Sequence, residues 1–187
     1  ELPAFEAALL DGRLGQLACE LLGTDEVTLF QDNVILKPAR HQAQVCWHQD
    51  FSYWPLDRPK GVTLWVALSP ATEQNGCLYF VPGTHRGGEL RATDFMYGTA
   101  QPRSDELQRL ELRPEHHEVP VPLDLGEIVA HHPLAWHMSP GNHSSHDRCG
   151  WSLTFLHPDT RWDPSHAPHP LNYSLQPATK SPLCPKR

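Results

Sequence analysis

Val62-Thr63-Leu64-Trp65-Val66-Ala67-Leu68-Ser69-Pro70, followed by Asn75-Gly76-Cys77-Leu78-Tyr79-Phe80-Val81-Pro82-Gly83, decides the architecture. Each is a short run of β-branched, aromatic and aliphatic residues. Ser-Pro stops the first, and the second opens at Asn-Gly and closes at Pro-Gly. On either side the pattern repeats. Val27 to Leu36 alternates around Gln31 and Asn33 until Pro38 ends it, and Val119 to Leu125, Glu127 to Ala130 and Cys149 to Leu156 read as further strands. Short strands punctuated by Pro and Gly predict a mainly β protein, a sandwich or a barrel. One helix is expected, Phe5 to Leu22, with apolar residues at helical spacing and Gly23 as its stop. The 19 prolines argue against other long helices.

With 187 residues, one domain spanning 1–187 is expected. The start, Glu1-Leu2-Pro3, lacks an initiator Met and a leader, so it reads as an internal fragment with part of the N-terminus absent. The stretch from Gly87 to His117 is polar, without periodicity and long for a connection, which predicts a functional lid or a partly disordered segment. After Pro158 the chain is expected to wrap the domain in extended form. No apolar run reaches the roughly 20 residues of a membrane span. A net charge of −7 without a Lys/Arg cluster disfavours nucleic acid as a partner. Five scattered cysteines form neither a disulfide framework nor a zinc knuckle, and they suggest a reducing, cytoplasmic setting. Oligomeric state is not legible.

The chemistry is concentrated in Trp47-His48-Gln49-Asp50. If this is a strand, His48 and Asp50 point to the same face and supply one imidazole and one carboxylate. Those are two members of a 2-His-1-carboxylate facial triad for iron(II). Among 13 histidines that spacing alone is weak, and a third ligand must come from far along the chain. His137 is the best candidate, placed directly after a strand and before Pro140-Gly141. Eleven residues later stands Arg148. On its strand Arg148, Gly150, Ser152 and Thr154 share one face, and Cys149, Trp151, Leu153 and Phe155 the other. An Arg on the small polar face, beside the metal, could grip a dicarboxylate co-substrate with two parallel hydrogen bonds.

Three ordered motifs carry a family resemblance: residues 47–55, from Trp47 to Pro55; residues 75–87, from Asn75 to Gly87; and His137 with Ser139 and Arg148. From about Asn33 to Leu156 the chain resembles the phytanoyl-CoA dioxygenase family, in particular its ectoine-hydroxylase-like members. The resemblance implies a double-stranded β-helix (a cupin-like jelly roll) with a few flanking helices. It implies iron(II) on His48, Asp50 and His137, and 2-oxoglutarate held by Arg148 and Ser139 through its distal carboxylate. Trp65 and Asn33 match positions lining the co-substrate pocket. The implied reaction consumes O₂ and 2-oxoglutarate, releases succinate and CO₂, and hydroxylates an unactivated C–H bond of a small molecule, with ascorbate as a supporting reductant. Family members are usually longer than this chain.

Several residues invite competing readings. Tyr53 and Trp54 follow the metal motif and could border the open face, with Tyr53 as a substrate contact. His85 reads as structural, His131 and His132 as packed or surface groups ahead of a role supporting a metal ligand, and Trp151 and Phe155 as core. Lys37 shares the parity of Gln31 and Asn33, but a snorkelling surface lysine is the simpler reading. Arg161 is a minor competitor for the anion anchor. Halogenation is disfavoured because Asp50 fills the position that a halide would need. The rival function is a non-catalytic metal-binding jelly roll, which would have no use for an anion anchor at Arg148.

Overall fold

The computed structural model describes residues 3–90, 92 and 118–167. Most of the 87–117 segment and of the chain after Pro158 lies outside these residues, so the expected lid and C-terminal wrap are not described. Two helices, α1 (Pro3–Leu10) and α2 (Arg13–Leu22), precede eight strands. The strands are β1 (Thr28–Lys37), β2 (Val45–His48), β3 (Gly61–Ala67), β4 (Leu78–Val81), β5 (Val119–Val121), β6 (Ile128–His131), β7 (Trp136–Ser139) and β8 (Arg148–Leu156). The single helix expected over Phe5 to Leu22 is thus two. The break falls at Asp11-Gly12, where Gly12 adopts φ 83° and Asp11 Oδ1 accepts hydrogen bonds from the Arg13 backbone and guanidinium.

The strands form two four-stranded sheets, ordered β1-β8-β3-β6 and β2-β7-β4-β5, with every neighbouring pair antiparallel. This is the jelly roll. Alternation along β8 sorts its side chains as the sequence predicts. Trp151, Leu153 and Phe155 join Val62, Leu64, Ala18, Cys19 and Val27 in a core cluster. Leu9, Leu14 and Leu17 of the helices pack against this cluster, and Phe5 meets Trp151 edge-on at 4.7 Å. The helices therefore cover the outer face of the first sheet. Arg148 and Ser152 point the other way, into a cavity between the sheets. Burial on both faces explains why β3 reads as an unbroken apolar run. No disulfide joins Cys19, Cys46, Cys77 and Cys149 among the described residues. No helix among the described residues is long and apolar enough to cross a membrane.

Candidate metal centre

His48 ends β2 and His137 lies within β7, where the two are directly opposed in the antiparallel ladder. His137 was expected just after a strand; instead the ladder itself fixes it. Asp50 also departs from expectation. The strand stops at His48, and Asp50 has helical dihedrals (φ −60°, ψ −44°) at the start of a 3₁₀ turn, Phe51–Tyr53. Same-face strand geometry is therefore not what joins His48 to Asp50. A tight change of direction brings the carboxylate back, with Asp50 Oδ1 3.5 Å from His48 Nε2 and 3.6 Å from His137 Nε2.

The donor set fits a divalent cation. One ligand atom from each of His48, Asp50 and His137 lies within 4.8 Å of the others. Each imidazole is oriented by its far nitrogen: His48 Nδ1 lies 2.8 Å from Cys46 O, and His137 Nδ1 2.9 Å from Ala135 O. A carbonyl can only accept, so both Nδ1 atoms carry the proton and both Nε2 atoms present lone pairs. Burial, reinforced by the neighbouring His48, pushes the His137 imidazolium down to about 3. Burial opposes ionisation of Asp50, but the surrounding histidines overcome it and hold the carboxyl well below its usual range. Two imidazole Nε2 atoms and one carboxylate converge. Such a set suits iron(II), zinc or a similar ion, and 2-His-1-carboxylate is the non-haem iron pattern.

An anion site shares the cavity. Arg148 is only 1% exposed, and no carboxylate pairs with it among the described residues. One edge of its guanidinium is occupied, with Nη2 donating to Gly76 O and Ser139 Oγ. Its Nε has no partner among the described residues. The cation also lies over the Trp65 ring, 5.2 Å from the centroid. Two glycines make the arrangement possible. At Gly76 (φ +86°) an added Cβ would sit 2.5 Å from Pro140 O, and the Gly76 carbonyl also accepts from Ser139 Oγ. At Gly150 a Cβ would fall 1.9 Å from the Trp65 indole, so the ring rests on bare β8 backbone. The cavity is about 740 Å³, within the roughly 300–1,000 Å³ usual for small-molecule sites.

The phytanoyl-CoA dioxygenase (PhyH) family model matches residues 3–150. The chain belongs to the phytanoyl-CoA dioxygenase family. A relative within it, phytanoyl-CoA dioxygenase domain-containing protein 1 of Bos taurus, is 30% identical over 187 residues, 98% of this chain and 61% of that protein. The chain thus spans about three fifths of this relative's length. Among solved structures it resembles the non-haem alpha-ketoglutarate-dependent epimerase SnoN of nogalamycin biosynthesis, at TM-score 0.69 and 25% identity, covering 87% of this chain and 61% of that one. It also resembles EctD from S. alaskensis, at TM-score 0.72 and 25% identity, covering 92% and 59%.

In this phytanoyl-CoA dioxygenase family member, the other expected site residues fall as follows. Trp65 is buried beneath Arg148, and Asn33 lines the cavity from β1, paired with Ser152. Tyr53 is buried and lines the cavity, its ring 6.2 Å from that of His48. His85 sits away from the triad, its ring 5.3 Å from that of His132. Arg161 is exposed and bonds to the carbonyls of Pro158 and Thr160, outside the cavity. Two simpler readings fail. Lys37 is not a surface lysine: it is 6% exposed, faces the cavity and donates to the carbonyls of Ala43, Ser139 and Pro140. His131 is no ordinary packed histidine, because its Nε2 lies 3.1 Å from Asp50 Oδ2. Parity along β1 pointed to Lys37; only a bias toward exposed lysine hid it. Thr63, which donates to the same Asp50 oxygen at 3.0 Å, carried no local signal.

Proposed function

We propose that this chain is the catalytic core of an iron(II)- and 2-oxoglutarate-dependent dioxygenase that hydroxylates a small molecule. One observation carries the reading. A three-ligand metal site and a buried, uncompensated arginine line the same cavity. The alpha-ketoglutarate dependence of SnoN, itself an epimerase, supports the co-substrate.

In this reading His48, Asp50 and His137 hold the metal, and Arg148 receives the distal carboxylate of 2-oxoglutarate beside Ser139. Iron with 2-oxoglutarate and O₂ supplies the oxidising chemistry, releasing succinate and CO₂. The chain's own part is geometric. Arg148 brings its buried cation to the cavity beside Ser139, and Trp65 walls the guanidinium from one side. Tyr53 and Trp54, both buried, close the cavity next to His48 and limit water there. No nucleic-acid partner is part of the reading, and the setting is read as cytoplasmic.

The test is succinate formation under air by the full chain with iron(II), ascorbate and 2-oxoglutarate, with and without candidate small molecules. Stimulated succinate release supports the oxygenase. Iron bound at one equivalent without succinate under any of these conditions would instead identify a non-catalytic metal-binding jelly roll.

A further inference from the structure

The Asp50 carboxylate is held at both oxygens in different ways. Oδ1 faces the two ligand imidazoles at 3.5 and 3.6 Å. Oδ2 is turned away from them and held by two side chains from the other sheet. Thr63 Oγ1, on β3, donates to it at 3.0 Å, and His131 Nε2, ending β6, lies at 3.1 Å. An ionised carboxylate only accepts, so His131 must carry its proton on Nε2. Thr63 and His131 are themselves opposed residues of the β3–β6 ladder, so the sheet presents the two donors as a pair. Both are buried, Thr63 at 2% and His131 at 8% exposure. The His131 ring is further walled by Phe80, with ring centroids 5.2 Å apart.

We infer that Thr63 and His131 act as a two-donor clamp that confines Asp50 to a single metal contact through Oδ1. This rests on the iron reading and adds a role to residues outside the ligand set. A carboxylate can bind a metal through one oxygen or both. With both lone-pair regions of Oδ2 engaged, chelation through the second oxygen would require breaking two hydrogen bonds. One more coordination position then stays open to ligands from outside the chain, which a 2-oxo acid and O₂ together need. Thr63 and His131 are positioning residues, argued to act through Asp50.

The clamp is tested by Thr63→Val, which keeps shape and removes the donor, and by Thr63→Ser, which keeps the hydroxyl. His131→Leu removes the second donor, and His131→Gln retains an N–H. Two readouts besides turnover are used on the full chain under anaerobic conditions. One is iron(II) affinity; the other is the visible charge-transfer absorption that appears when a 2-oxo acid chelates bound iron(II), titrated with 2-oxoglutarate. The clamp predicts that Thr63→Val and His131→Leu each weaken 2-oxoglutarate binding to the iron-loaded protein by about tenfold, with an altered charge-transfer band. Thr63→Ser should restore most of the affinity and the band. Thermal melting of the metal-free proteins identifies variants that fail through folding, and the Thr63 pair decides the matter if His131→Leu does not fold. An unchanged band and affinity in Thr63→Val, or a Thr63→Ser as defective as Thr63→Val, overturns the clamp. No iron bound by the unsubstituted chain overturns the iron reading itself, and the clamp with it.

Discussion

His48 and His137 are cross-strand partners in β2 and β7, with ring centroids 4.2 Å apart. Two residues far apart in sequence are thus placed by one rung of a ladder rather than by loops. Removing either imidazole should abolish iron binding without unfolding the sheet. Anaerobic titration of the full chain should show one equivalent of iron(II) for the parent and none at comparable concentration for His48→Ala or His137→Ala. Normal iron binding by His137→Ala would move the third ligand elsewhere.

Asp50 supplies the only negative charge among the three ligands. Asp50→Gly should lose succinate formation coupled to hydroxylation while leaving a position that an exogenous anion can fill. The check is product analysis in chloride-containing and chloride-free buffer. Undiminished hydroxylation by Asp50→Gly would mean that another carboxylate is the ligand.

Arg148 should govern the co-substrate and not the metal. Charge-assisted hydrogen bonds contribute roughly 1.5–3 kcal/mol each, so Arg148→Lys, which cannot reproduce a fork, should raise the KM for 2-oxoglutarate by about ten- to several-hundred-fold. Iron affinity should stay nearly constant. Arg161→Lys, altering an exposed residue outside the cavity, should change neither. A raised KM in Arg161→Lys with none in Arg148→Lys would reverse the assignment.

Lys37 introduces a pH dependence. Its burial, and secondarily the charge of Arg148, push its ammonium down to about 7. The base is depressed relative to the unfolded chain, so between about 7 and about 10.5 the unfolded state binds more protons and stability rises with pH. Binding of a dianion in the same cavity favours the protonated lysine. Affinity for 2-oxoglutarate should therefore be highest below pH 7 and fall as pH rises through it, by at most about tenfold per unit for one proton. The slope should vanish in Lys37→Met. A pH-independent dissociation constant in the parent between pH 6 and 9 would show that Lys37 is not linked to the co-substrate.

Gly150 predicts a packing defect with a functional readout. Gly150→Ala places a methyl where the Trp65 indole lies, and overpacking of this kind costs roughly 1–3 kcal/mol. Trp65 must move, and with it the wall behind Arg148. The melting temperature should fall and the KM for 2-oxoglutarate should rise together. A variant with parental values of both would show that the ring has room to shift.

What the sequence disclosed and what it hid differ in kind. Period-2 alternation is a local property, so the two faces of β8 were legible, and with them the placement of Arg148 inward and Trp151 outward. The His-x-Asp spacing was legible too, but for the wrong geometric reason, because the strand ends at His48 and a helical turn returns Asp50. The helix break at Gly12 was missed because the apolar spacing continues through it. Thr63 and His131 could not be paired beforehand, since their meeting depends on the β3–β6 register, which no single segment encodes. Lys37 was underrated because its burial is produced by carbonyls from β7 and the turn after it, far away along the chain.

Because β8 spends alternate residues on opposite duties, its alignment with β1 and β3 admits no graded error. A slip of one residue would turn Trp151, Leu153 and Phe155 into the cavity and Arg148 out of it. Both the helix-covered core and the anion anchor would be lost in the same event. Proofreading is thereby built into the strand: a chain that has closed its hydrophobic face correctly has, by that act alone, also aimed its arginine.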